Sequence, residues 1–393
     1  MELQEQLLGE IKKAQKLHRM LLPRKLPSSS RARFAAHYYP AQHLGGDFYD
    51  AFNVDSGVLN LFFDQIVFYL TDVSGHGLDS SLLTVFIRDV INGYFNNRHQ
   101  AGELISPARV LEHLLKEFQE EDFPPDYFSC VFFGVLDLNL QELTYSSAGF
   151  HIPSLVASSE GVTELECGGL PLSSVLPREL VDLQEHQYRI EKGGTFLFCT
   201  DGLMDQESGE LSYRERLQEV FYQYYHLPPA LVINIIVEDF FEFLEKPFTD
   251  DDVTFLVVQV EPDEMEDWSL EIGSSLSALT EIEKQLKEIL QRYFDEPRPL
   301  MLGFHEVAVN SVEHGSQFSP EKTIKVSVSA AKHYVEITLE DESTGFQWRP
   351  HLEQEIACSE PQEKGEELGV AQKCYDYIYY SNRGQQVSLV KLR

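Results

Sequence analysis

Four short segments each set an aspartate beside a tight-turn signal: GGDFYD with Asp47, TDVSGHG with Asp72, TDGL with Asp201, and DDDVT with Asp250, Asp251 and Asp252. Strand-like runs at 67–70, 130–136, 195–199 and 253–260 lie among them, each ending near an acidic or glycine-containing turn. Glycine lets the backbone turn sharply and approach an ion closely. Aspartate oxygens are the hard donors that magnesium and manganese prefer. A single Asp-Gly pair is more often a turn than a ligand, so the signal lies in the order and spacing of the four segments together.

A chain of 393 residues exceeds what one hydrophobic core usually serves, and two domains are expected. With 43% hydrophobic and 24% charged residues, extensive disorder is not expected. The 64 acidic against 31 basic residues give a formal charge of −33, which repels nucleic-acid phosphates and anionic lipid head groups. Direct nucleic-acid or membrane partners are therefore not expected. The five cysteines (130, 167, 199, 358, 374) form no CxxC pair and fit a reduced, cytoplasmic setting. No run approaches the ~20 apolar residues of a membrane span, and no signal peptide is evident.

Residues 1–25 read as an amphipathic linker helix. Leu3, Leu7, Ile11, Ala14, Leu17 and Leu21 share one stripe before Pro23 and Pro27 end it. Two roles stay open: packing on its own domain, or homodimerisation and signal transmission. Residues 26–262 mix strands with helices at 80–95, 108–120 and 229–244, and the charged EPDEMED segment (261–267) reads as a linker. Residues 263–393 begin with a long helical pattern, then a helix near 304–313 and strands at 323–330, 334–340 and 386–392. That order points to a helical layer on an antiparallel or mixed sheet, and the whole chain to an α+β, two-domain protein.

Two cations held by such aspartates would ionise a water for in-line attack on a phosphoryl group. Here the chain resembles the PPM metal-dependent protein phosphatases, in the branch of the sporulation stage II E and RsbU phosphatases. The likeness covers about residues 15–260 through AQKLHRMLLP, GGDFYD, DVSGHG, FSCVFFGVLDL, YSSAG, GLPL, LFCTDGLMD and DDVTFLVV. It implies a β-sandwich flanked by helices, with two Mn²⁺ or Mg²⁺ ions at one edge. By position, Asp72 would bridge the ions and the Val73 carbonyl would hold one through water. Asp201 and Asp251 would complete the second ion's shell, and Asp47 would be an outer ligand. Asp252 competes with Asp251 for the last place, because three consecutive aspartates blur the register. Hydrolysis would need no phosphoenzyme. Where relatives often read AGHxP, this chain has Phe150 then His151, leaving His151 as a displaced site histidine or a loop residue; His76 is a second histidine candidate.

In the last domain FHEVAVNSVEHG places Glu306 and Asn310 four apart on one helical face. This run resembles the N-box of the gyrase, chaperone, histidine-kinase and MutL (GHKL) ATPases, especially RsbW-type anti-sigma-factor kinases. The likeness implies an α/β sandwich with a helical layer on a mixed sheet. It casts Asn310 as a holder of ATP-Mg²⁺, Glu306 as proton acceptor, Asp341 as the adenine ligand, and Gly345 and Gly369 as box glycines. Ser343 and Glu367 depart from the glycine pattern, and 347–364 is not glycine-rich. Together the resemblances imply a partner-switching regulator. Its phosphatase would act on a phosphorylated STAS-type anti-anti-sigma protein, while the last domain would phosphorylate that protein or sequester a sigma factor. The alternative makes the last domain a degenerate, non-catalytic partner-binding module.

Overall fold

The strand Gln65–Val73 is apolar on both faces and so must be covered on both. The computed structural model describes residues 2–23, 25–54, 64–75, 77–98, 105–208, 211–244, 249–260, 266–315, 319, 321–342, 366–381 and 385–393. Contacts group Met1–Pro262 into one unit and Asp263–Arg393 into another.

The first unit is a sandwich of two antiparallel sheets. One runs Ala32–Tyr39, Val253–Val260, Thr195–Cys199, Ser154–Ser158, Gly161–Leu165. The other runs Phe48–Asn53, Gln65–Val73, Phe128–Asp137, Glu142–Ala148, His186–Arg189, with the short Leu172–Ser173 beside Phe128–Asp137. Alternation divides each strand's side chains between two cores. Phe68 and Phe132 point between the sheets and meet Phe198 of the opposite sheet, each at a ring separation of 4.8 Å. Their neighbours Tyr69 and Phe133 point outward under the helices Leu78–Arg98 and Pro107–Glu121.

The helix Pro107–Glu121 shows why these residues coil. Ser106 caps it by accepting the Arg109 N–H, and Pro107 occupies the first turn, where no donor is lost. Val110, Leu111, Leu114, Leu115 and Phe118 recur at helical spacing and are buried, each worth about 1.5–3 kcal/mol. Asp122 in the left-handed region ends it.

The amino-terminal helix spans Glu2–Leu21 and falls in the first unit. Its buried contact differs from the expected stripe: Leu17 is 64% exposed, whereas His18 is buried with Nε2 3.2 Å from Thr84 Oγ1 on Leu78–Arg98. Ile11, Ala14 and Leu21 of the stripe are half-buried, Leu21 against the core under Leu78–Arg98, and the buried imidazole has in Thr84 the partner that burial of a polar group requires.

In the second unit the strand order is Glu266–Gly273, Thr323–Ala330, Tyr334–Asp341, Gln386–Leu392, Tyr377–Ser381. Among the described residues every pairing is antiparallel, one of the two arrangements the element order left open, which corrects the mixed sheet. Two of the successive strand pairs are joined by short connections, which force antiparallel neighbours. Helices Leu276–Leu290, Arg298–Asn310 and Glu366–Cys374 contribute to its core, where Phe304 and Val307 join Val326 and Ile337. The chain is thus α+β in two units, and among the described residues no helix is long and apolar enough to cross a membrane.

Candidate active site

Antiparallel register brings the aspartates to one end of the sandwich. Phe48 pairs with Thr71, so Asp47, one residue before its strand, stands alongside Asp72. On the facing sheet Cys199 pairs with Phe255 and the Thr200 N–H donates to the Thr254 carbonyl at 2.9 Å, setting Asp201 beside the Asp251–Asp252 turn. Glycine makes two close approaches possible. A Cβ on Gly202 would collide with the Asp252 carbonyl, and one on Gly46 would lie 2.5 Å from the Val73 carbonyl.

The carboxylates hold one another's acidity down. Burial, then Asp201, Asp251 and Asp252, push Asp72 up to about 7. Asp47 is 2% exposed, and burial, then Asp72 and Asp252, hold it well above the usual carboxylate range. Asp201 is raised by burial, then by Asp251, with His151 acting in the opposite direction. Such a set calls for positive charge, and its all-oxygen donors suit a hard divalent cation.

The consecutive aspartates are not equivalent. Both Asp252 oxygens accept backbone N–H groups, from Ala41 at 2.8 Å and Gly46 at 2.6 Å, so Asp252 clamps the GGD loop to the opposite sheet. Asp251 is exposed and within electrostatic reach of Asp72 and Asp201. Among the described residues no three His, Cys, Asp or Glu side chains are gathered tightly enough to hold a metal ion as they stand. Magnesium keeps several waters and takes one or two carboxylates, so scattered single carboxylates still match its chemistry.

Thr200 is a site residue that sequence reasoning missed, although it directly precedes Asp201 in TDGL; its hydroxyl donates to Asp47 Oδ2 at 2.8 Å. His151 Nε2 lies 4.0 Å from Asp201 and 3.9 Å from Asp205, while Phe150 is buried. His76 lies outside the described residues. Cys130 pairs with Asp72 across the ladder, and burial with the nearby Asp72, Asp201 and Asp47 pushes its thiol up to about 12. It carries no thiolate at neutral pH.

In the second unit Glu306 and Asn310 are half-buried on the last two turns of Arg298–Asn310, which continues into a π turn, Ser311–Gly315. Asp341 ends its strand, and its N–H donates to the Gln385 carbonyl at 3.0 Å. Gly369 lies in Glu366–Cys374 with open space where a Cβ would stand. Gly345, Ser343 and the segment 347–364 lie outside the described residues.

The stage II sporulation protein E (SpoIIE) family profile matches residues 64–261, just over half of the chain and including Asp72, Asp201, Asp251 and Asp252. The chain belongs to the SpoIIE family. A histidine kinase-like ATPase domain profile matches residues 274–391. This SpoIIE-family chain is 24% identical over 271 residues to Protein IcfG of Synechocystis sp., covering 63% of this chain but only 41% of that protein. The SiaA-PP2C domain of Pseudomonas aeruginosa superposes with a TM-score of 0.54 at 19% identity, covering 65% of this chain and 98% of that one. The RsbU and RsbW domains of Rv1364c from Mycobacterium tuberculosis give a TM-score of 0.49 at 20% identity, covering 94% and 96%. A SpoIIE-family unit with a PP2C-like fold is therefore followed by a histidine kinase-like ATPase domain.

Proposed function

We propose that the first unit hydrolyses phosphoserine or phosphothreonine on a protein partner, with Asp72, Asp201, Asp251, Asp47 and the Val73 carbonyl holding two Mn²⁺ or Mg²⁺ ions. The observation that carries this reading is the convergence of aspartates from four separate turns, with Asp72 pushed up to about 7 by burial and by three of the others. Bound cations supply Lewis acidity towards water and phosphoryl oxygens. Asp72, which faces carboxylates of both sheets, would be shared between the two ions. Thr200 orients Asp47, and Asp252 holds the GGD loop at the distance the others require.

The partner in this reading is a phosphorylated STAS-type anti-anti-sigma protein, and the setting is the cytoplasm. The second unit binds ATP-Mg²⁺ through Asn310, Asp341, Gly345 and Gly369, with Glu306 as proton acceptor for phosphorylating the same protein; it also offers a surface for a sigma factor. The pairing of the two domain types in one chain supports opposed activities. Ser343 and Glu367 favour a second reading, in which this unit only recruits the partner.

Phosphate release from a phosphoserine STAS-domain protein with manganese tests the first activity. Release by the intact chain, abolished in Asp72→Ala and Asp201→Ala, is expected; equal release by the variants would refute it. Binding of a fluorescent ATP analogue that is lost in Asn310→Ala separates the two readings of the second unit.

A further inference from the structure

Gly149 takes a left-handed φ of +65°, and a Cβ there would sit 2.7 Å from Pro171 Cα, so this turn accommodates glycine alone. It drops Phe150 into the sandwich core, 6.0 Å from the Phe132 ring, and leaves the next side chain, His151, 64% exposed at the rim beside Asp201. Asp205, four residues after Asp201, lies 3.9 Å from His151 Nε2, and its Oδ1 accepts from Arg214 Nη2 at 3.0 Å. Asp205 thus has an imidazole within 4 Å and a guanidinium in hydrogen bond beside Asp201, at the end of the sandwich where the aspartates gather.

Aspartates accept hydrogen bonds and cannot donate them when ionised, whereas a phosphomonoester presents oxygens that need donors. A guanidinium matches those oxygens in a planar fork. The Arg214–Asp205 pair is partly exposed at 38% and 49%, and exposed pairs contribute little, so Arg214 can exchange Asp205 for a phosphate oxygen at small cost.

We propose that His151, and Arg214 on exchanging Asp205 for phosphate, hold the oxygens of the substrate's phosphoryl group that face away from the aspartate turns. This rests on the phosphatase reading for its substrate, while Arg214 and its pairing with His151 come from the geometry. The test is calorimetric binding of inorganic phosphate to the manganese-supplied full chain, alongside steady-state hydrolysis of p-nitrophenyl phosphate.

His151→Ala and Arg214→Ala should each weaken phosphate binding about tenfold, and raise KM more than they lower kcat. Arg214→Lys should recover part of the lost affinity, which a folding defect would not allow. Phosphate affinity within about twofold of the intact chain in both alanine variants would overturn the proposal, as would a loss confined to kcat. So would an intact chain that binds no phosphate. If the intact chain binds phosphate through these residues but hydrolyses nothing, the phosphatase reading fails and the rim stands. If it hydrolyses while the variants bind phosphate normally, only the rim fails.

Discussion

Thr200 donates its hydroxyl to Asp47 Oδ2 at 2.8 Å and its backbone N–H to the Thr254 carbonyl at 2.9 Å. A single residue therefore fixes a carboxylate at the end of one sheet to the ladder of the other. Thr200→Val keeps the shape but removes the donor, leaving Asp47 buried with less support. A loss of about 1–3 kcal/mol is expected in urea denaturation, and Thr200→Ser should restore most of it.

The raised Asp72 carboxyl has a definite pH signature. Its folded value of about 7 stands above an unfolded value of about 3.9, so the metal-free native state binds a proton that the unfolded chain has released. Its contribution to stability is present below about pH 4 and is lost as pH rises through about 7. Asp72→Asn should therefore stabilise the metal-free chain more at about pH 7.5 than at about pH 5, read as Tm by calorimetry. A difference independent of pH would show that Asp72 does not titrate in that window.

His18 runs the opposite way. Burial lowers its pKa, and it faces Thr84 Oγ1 and the Tyr38 ring at 6.0 Å. Its contribution is fully present above an unfolded value of about 6.5 and is lost as pH falls below that value. Amide exchange in Glu2–Leu21, taken relative to the base-catalysed intrinsic rate at each pH, should accelerate between about pH 7.5 and pH 5.5 in the intact chain. In His18→Ala it should already be fast at the higher pH; slow exchange in that variant would mean that other contacts hold the helix.

Much of the fold was legible because the central strands bury both faces. The runs within Gln65–Val73, Phe128–Asp137 and Val253–Val260 stand out as apolar, and Pro229–Leu244 has the boundaries its pattern implies. Glu266–Gly273 was hidden because its first residues carry the charges of a linker, although Trp268 and Leu270 alternate on the core side. Ala32–Tyr39 mixes Arg33 and His37 into a strand whose pairing with Val253–Val260 is set by residues more than 200 positions away. At the site, residue type and turn chemistry singled out the aspartates. Neighbours from another loop set Asp252 apart from Asp251: the N–H groups of Ala41 and Gly46 occupy Asp252, and nothing local to DDDVT announces them. His151 likewise depends on the left-handed turn at Gly149.

Manganese binding to the metal-stripped full chain at about pH 7.5, counted by calorimetry, tests the aspartate centre most directly. Two ions per first unit are expected, with affinity falling as pH drops through the Asp72 titration and binding largely lost in Asp72→Ala. An intact chain that binds no manganese or magnesium, or an Asp72→Ala chain that binds two ions as the intact chain does, would contradict the assignment of these four turns to a metal centre.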